Sequence, residues 1–532
     1  MSKKLSDIGT LSGTGSSDTQ VLVLSGNTLG WADRDDVVSD LKESVDAATD
    51  ALEAAQAAGV TVTQTYDPEI YAYGVQRTVG ASDPTLTRIG NATYHKTLPV
   101  HSLIKGGLLD DDGNFTAFAD QTDWTDYDRT GASGQVMVEI PEHYEYFYDD
   151  GETQQAWVSL VACAGFTKVP KMYISAYEAA YDRTNKVLCS IVNEDEQYYG
   201  GSYYASSTSY DADDFTLCGK PVTGISLTAF RTYARKRGTA GLNGAGWNCY
   251  TYNAHKTLYW LFTIEYATLN CQLDFTSELT DDGYHQGGLG AGVTTLGYSN
   301  WTALNSVNPF IPCGYTDELG NQTGTVTFTM PRGYDCGGNS YYVGEFDEQE
   351  SYESGYYYSD GDDLYKCIAD CESGTDITDT DYFTQVTRTT VSVPRYRGIE
   401  NPFGHIWKRM DGALAYGTDN QFYTTDDPSL FSSTSYDDYT YKGTFSTSNN
   451  VYIKEIMWGT YGDLVATSTG GSSTTYFCDY TYTSASGSIR CLAAGGQSYS
   501  EARCGLSYLH SVNTPSITSV DIGTRLCFFP AE

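Results

Sequence analysis

The chain holds many side chains able to do chemistry, but few stand at spacings that a reaction needs. Its seven histidines, at 95, 101, 143, 255, 285, 405 and 510, are dispersed, and no H-E-x-x-H run sets two imidazoles on one helix face. Asp110, Asp112 and Asn114 begin like a calcium loop, yet the sixth position is Phe115, where the sharp turn requires glycine. Cys367 and Cys371 lie four apart, with no second pair at zinc-finger distance. Gly219-Lys220 runs into Pro221 and cannot cradle phosphate, no G-x-S-x-G elbow is present, and GGLGAG does not fit the dinucleotide fingerprint. Glycoside hydrolysis needs only two carboxylates close in space, so it stays open; with 68 acidic residues no pair is singled out.

Composition narrows the classes further. There are 532 residues, with 31 Lys plus Arg against 68 Asp plus Glu, a formal charge of −37. Such a field repels phosphate backbones, so nucleic-acid binding is not expected; it suits solubility at high copy number and contact with cations. No cofactor is expected, and the only metal role the composition suits is a structural divalent cation. The 46 tyrosines combine apolar area, a polar tip and few rotatable bonds, which serves both strands and binding loops. The start, MSKKLSDIGTLSG, has no apolar core, and the longest apolar run, near Leu258–Ile264, is too short for a bilayer. The 13 cysteines are therefore expected to be made as reduced thiols, in a cytoplasm and without membrane insertion.

The elements that would position these residues fall into four stretches. Residues 1–35 are rich in Ser, Gly, Thr and Asp. From 36 to 59, Val38, Leu41, Val45, Ala48, Leu52 and Ala55 keep 3-4 spacing, a seam for a homotrimeric coiled coil or for packing on the chain itself. Residues 60–135 carry the turn chemistry of a small β-rich module (Asp67-Pro68, Ser82-Asp83-Pro84). From 136 to 532 strands alternate with two helices. One runs over Leu227–Arg237 with Leu227, Phe230, Tyr233 and Ala234 on one face. The other runs over about 252–269 with a stripe of Leu258, Leu261, Phe262, Tyr266 and Leu269. The Gly-, Tyr- and Asp-rich stretch at about 275–390 reads as an ordered insertion in this last domain.

Six short motifs occur in order: VMVEIPEHYEYFY (Val136–Tyr148), GFTKVP (Gly165–Pro170), ISLTAFRTYARKRG (Ile225–Gly238), EYATLNCQ (Glu265–Gln272), YRGIENPFGHIWKRMDG (Tyr396–Gly412) and IGTRLCF (Ile522–Phe528). Together they resemble the C-type-lectin-like domain of phage tail-fibre and receptor-binding proteins, a group that includes the major tropism determinant and other variable proteins of diversity-generating retroelements. The resemblance implies an α+β fold: a C-type-lectin-like C-terminal domain with insertions, preceded by the coiled-coil helix and the β module. It also implies a non-enzymatic, multivalent protein of the virion surface, assembled in the host cytoplasm. Residues 1–35 would join other virion proteins, and the C-terminal end would bind a host glycan or protein. Loops before the last strand would make the contact, which selects Tyr476, Asp479, Tyr480, Tyr482, Gln497, Tyr499, Tyr508, His510 and Asn513. The alternation of Tyr480 and Tyr482 equally suits an ordinary strand. The alternatives are a capsid decoration or head-fibre protein, and a tail-borne glycan depolymerase. Formylglycine-generating enzymes share the lectin-like core, but Cys491 and Cys504 are too far apart for their cysteine pair.

Overall fold

A computed structural model describes residues 20–25, 28–33 and 66–531, apart from 199, 202–218, 239–245, 297–308, 310, 321–324, 330–341, 362, 387–389 and 448. The expected oligomerising helix, with Val38, Leu41, Val45, Ala48, Leu52 and Ala55, lies outside the described residues, as does most of the attachment segment. The chain divides into two units, 1–65 and 66–532. The described part of the first is an antiparallel hairpin, Gln20–Ser25 with Thr28–Asp33.

In the second unit, Tyr252–Tyr266 carries large side chains on every side of a helix, so it has to be surrounded. It is: 13 of its 15 residues are buried, including Trp260, Phe262 and Glu265. Thr251 caps its start by accepting from the Ala254 N–H, and Ala267 ends it in the left-handed conformation (φ 52°). The stop comes earlier than the stripe to Leu269 suggests, because Thr268 pairs with Thr85 and the Ala267 carbonyl accepts from the Leu86 N–H.

One side of this helix packs on a five-stranded antiparallel sheet in the order Thr167–Val169, His143–Asp149, Thr153–Ser159, Ala72–Thr78, Thr87–Gly90. Another side meets Trp407–Gly417, in a nine-stranded sheet that also holds Ser486–Gly495, Gly505–Ser511 and Tyr480–Thr483. A six-stranded sheet joins Lys105–Leu109 and Gln135–Ile140 to the final strand, Leu526–Phe529. Residues on either side of position 135 thus share two sheets. The shorter helix, Leu227–Arg235, is capped by Ser226 and buries Leu227, Phe230 and Ala234. Within the stretch 275–390, four strands between Tyr342 and Val386 form a small sheet over their own core of Tyr352, Tyr358, Cys367, Cys371, Ile377 and Phe383.

The expected α+β fold, with a C-type-lectin-like domain behind a short coiled-coil helix and a small β module, is corrected by this arrangement. Among the described residues strands make up 37% and helices 13%, and they are organised by a curled half-barrel sheet instead of a small sheet flanked by two helices. The physical reason lies in the Tyr-, Thr- and Val-rich alternating segments throughout 66–532, which favour strands over a much longer stretch than the six motifs cover.

Several of those motifs hold buried charge. The Glu265 carboxylate accepts from Arg397 at 2.7 and 3.0 Å and from the Tyr396 hydroxyl at 2.9 Å, with His285 Nδ1 at 2.7 Å. Burial alone would raise this carboxyl; Arg397, His285 and His101 overrule it and hold it far below the usual range. Glu178 is likewise buried, and Lys408 at 2.9 Å and His405 at 2.5 Å pull it down to about 2. Arg525, just before the last strand, is buried and donates to the Ser175, Glu400 and Asn401 carbonyls. Removing one partner from such a buried set leaves a bare charge, which typically costs about 3–5 kcal/mol.

Candidate functional site, a cleft beside the central helix

The motif HYEYFY supplies the first wall. In the strand His143–Asp149 alternation turns His143, Glu145 and Phe147 inward and Tyr144, Tyr146 and Tyr148 outward. Tyr146 stacks on Phe166 with ring centres 5.4 Å apart, and Tyr148 is exposed. The inward Phe147 packs on Trp260 of the central helix at 5.0 Å.

The helix positions the opposite wall. Tyr252, Lys256 and Trp260 are spaced four apart, so they share one helix face. All three bind the loop 458–464. The Trp260 indole N–H donates to the Gly462 carbonyl at 2.8 Å, and Lys256 Nζ donates to the Tyr461 carbonyl at 3.1 Å. The Tyr252 hydroxyl donates to Asp463 Oδ1 at 3.0 Å and accepts from the Leu464 N–H at 2.9 Å. Trp458 anchors the other end of the loop: its ring lies 4.6 Å from that of Trp260, and its indole N–H donates to the Gln155 carbonyl at 2.9 Å. Gly462 has φ 62°, and a Cβ there would stand 2.5 Å from the Phe147 ring, so the turn needs glycine for both reasons.

Between these walls lies a cleft of about 650 Å³, with Thr424, Thr425, Asp426, Lys442 and Thr460 also on its lining. That volume suits a small-molecule or oligomer site. Tyr461 is 56% exposed at its edge, and Lys442 Nζ sits 3.6 Å from the centre of that ring. Asp463 is buried against the cleft; burial pushes its carboxyl up, against the pull of Lys256 and Lys442. Asymmetric polar groups beside exposed rings can orient a hydroxyl-rich ligand, with rings for its flat faces and short side chains for its hydroxyls.

The residues expected from the sequence lie elsewhere, on and around the nine-stranded sheet. Asp479, Gln497, Tyr508 and His510 are buried; Tyr476, Tyr480, Tyr482, Tyr499 and Asn513 are half-buried. Several meet in an aromatic band. Tyr480 contacts Tyr452 (4.2 Å) and Tyr508 (6.1 Å), Tyr508 contacts Trp407 (4.7 Å), and His510 contacts Trp407 (5.1 Å) and Tyr482 (5.0 Å). Burial lowers His510 to about 3, so it is neutral at ordinary pH. Asp479 accepts from the Ser507 N–H (2.8 Å) and hydroxyl (2.7 Å), and burial pushes its carboxyl up to about 8. Gly495 and Gly496, in the turn before this band, take positive φ, 93° and 81°. Tyr476 and Asn513 stand apart from the band: Tyr476 binds the Ser82 carbonyl through its N–H, and the Asn513 carbonyl accepts from Cys491.

Tyr146, Tyr148, Lys256, Lys442, Tyr461 and Asp463 were not expected as site residues. The available signal was the triple alternation Tyr144, Tyr146, Tyr148, which places more aromatic area on an outward face than a solvated strand needs. Asp110 accepts from the Asp112 and Asn114 N–H groups and from the Asn114 amide, so its carboxylate serves its own loop. Among the described residues, no three or more His, Cys, Asp or Glu side chains are grouped as a metal site, and no helix is long and apolar enough to cross a membrane. The described cysteines are buried thiols. Compared with known proteins, the chain matches no family model, and no curated protein shows significant similarity to it.

Proposed function

We propose that this chain is a binding protein that holds a glycan in the cleft between the Tyr146–Tyr148 wall and the loop 458–464, without a bond-making step. The observation that carries the reading is an exposed ring, Tyr461, on a loop fixed by the buried helix, beside the ammonium groups of Lys256 and Lys442 and the threonine hydroxyls of the lining. A site held this way loses little entropy on binding, because its walls are already ordered. The motif resemblance to phage tail-fibre and receptor-binding proteins supports a place on a virion surface, with a host cell-surface polysaccharide as the ligand. Repetition of the chain there would turn weak single contacts into strong adhesion. The test is to titrate the full chain with purified bacterial surface polysaccharides. Saturable binding that leaves the polymer intact supports the reading; no binding across the set refutes it.

One observation favours a second reading, a glycan depolymerase. Asp463, with its carboxyl raised by burial, shares the cleft with Asp426, and a raised acid beside a second carboxylate is what glycoside hydrolysis uses. Release of reducing ends, abolished in Asp463→Asn, would establish it over simple adhesion.

A further inference from the structure

Lys256 and Lys442 come from different elements, the central helix and the strand Thr440–Thr444, yet their ammonium groups meet at one residue. Lys256 Nζ lies 3.1 Å from the Tyr461 carbonyl, and Lys442 Nζ lies 3.6 Å from the centre of the Tyr461 ring. Neither forms an ion pair with a carboxylate among the described residues, although the chain carries more than two acids for every base. The contrast with Lys168 is direct: it also lines the cleft, but Glu142 neutralises it at 3.0 Å.

The acids on the lining are mostly engaged. Glu145 faces His143 at 3.4 Å, Asp149 accepts from the Gly151 N–H and the Gln154 amide, and Asp463 accepts from Tyr252. Two ammonium groups that make no direct ion pair, beside an exposed ring, are placed to meet an anion on a chain that is otherwise strongly acidic.

Resting on the reading that the cleft holds a glycan, we infer that the glycan is acidic: a sugar carboxylate of the hexuronate type sits against Lys256 and Lys442, with the sugar ring beside Tyr461. The carboxylate supplies the direct ion-pair partner that neither lysine has among the described residues, and charge-assisted hydrogen bonds form with the ammonium groups. Asp426 and the threonines of the lining are left to accept from and donate to the sugar hydroxyls. Lysine suits this task because its ammonium is a mobile point charge that can follow different linkages.

Three probes test this on the full chain: polygalacturonate, the same polymer with its carboxyl groups reduced to alcohols, and polyglutamate. The proposal expects polygalacturonate to bind at least about tenfold more tightly than its reduced form, and the preference to shrink with added salt. Lys442→Gln should cut the preference at unchanged melting temperature and the double variant Lys256→Gln/Lys442→Gln should erase it, while Lys171→Gln, outside the lining and paired with Glu139, leaves it intact. Equal binding of the acidic and reduced polymers, sensitive to Tyr461→Ala, overturns the acidic assignment and leaves the glycan reading standing. Polyglutamate binding as tightly as polygalacturonate overturns the sugar part and leaves only an anion site. No binding of either polysaccharide, or binding that ignores both Tyr461→Ala and the lysine changes, overturns the assignment together with the glycan reading of this cleft.

Discussion

The cleft and the aromatic band both rely on tyrosine, and they use it in opposite ways. In the band, Tyr480, Tyr482 and Tyr508 lie against one another, Trp407 and His510, so their faces are consumed by neighbours. At the cleft, Tyr148 and Tyr461 keep 37% and 56% of their surface open, although Tyr148 stands in a strand paired with Thr153–Ser159 and the loop of Tyr461 is pinned by Trp260, Tyr252 and Lys256. The band spends its aromatic area on stability, whereas the cleft holds it ready on a rigid support. Tyrosine density is thus common to both regions; uncovered rings beside lysines that make no ion pair distinguish the cleft proposed as the binding surface.

The largest expected effect breaks the support of the cleft. Trp260→Ala removes a fully buried ring, its contacts to Phe147 and Trp458, and the donor to Gly462, and should cost about 3–5 kcal/mol in denaturant unfolding. A cost below about 1 kcal/mol would mean that the helix does not hold the loop.

Acid acts next, and on the buried side of the comparison. Burial lowers His101 and His255 to about 4 and His510 to about 3, well below the ordinary 6.5. The unfolded chain takes up these protons first, so the stability they support is complete above pH 6.5 and is lost as pH falls toward 4. Each should contribute a loss of roughly 2 kcal/mol at pH 5. Below that, Glu178, held at about 2, adds to the decline as the pH drops from 4.5. Melting curves between pH 7 and 4 check this; a flat profile would contradict neutral buried imidazoles. Asp479 works in the opposite sense. Its carboxyl is raised to about 8, so the folded state loses stability as pH rises toward that value, and Asp479→Asn should exceed the parent in stability at pH 9.

Two smaller effects separate the tyrosines. Tyr480→Ala strips ring contacts to Tyr452 and Tyr508 and should cost about 1–2 kcal/mol. Tyr461→Ala removes an exposed ring and should change stability by less than about 0.5 kcal/mol. Equal losses in the two variants would erase the distinction drawn between band and cleft.

Periodicity made the local elements legible. The apolar face of Leu227–Arg235 and the alternation in His143–Asp149 can be read directly, because each depends on a repeat within one segment. Architecture was not legible, since it rests on pairings between distant strands, such as Ala72–Thr78 with Thr153–Ser159. The short motifs did not reveal the architecture for the same reason: Arg397 binds Glu265 and Arg525 binds the Glu400 and Asn401 carbonyls inside the core, and a buried charge network leaves conspicuous residues in the sequence without marking a fold. The cleft could not be assembled from sequence either, because Tyr148, Lys256, Lys442 and Tyr461 come from four segments and meet only when the loop closes on Trp260.

The measurement that bears most directly on this account is the affinity of Tyr461→Ala and Tyr480→Ala for the polysaccharide that the full chain binds most tightly. The account predicts a loss of about tenfold or more for Tyr461→Ala and a change within about twofold for Tyr480→Ala. A large loss for Tyr480→Ala, with Tyr461→Ala binding like the parent, would move the ligand to the aromatic band and contradict the cleft.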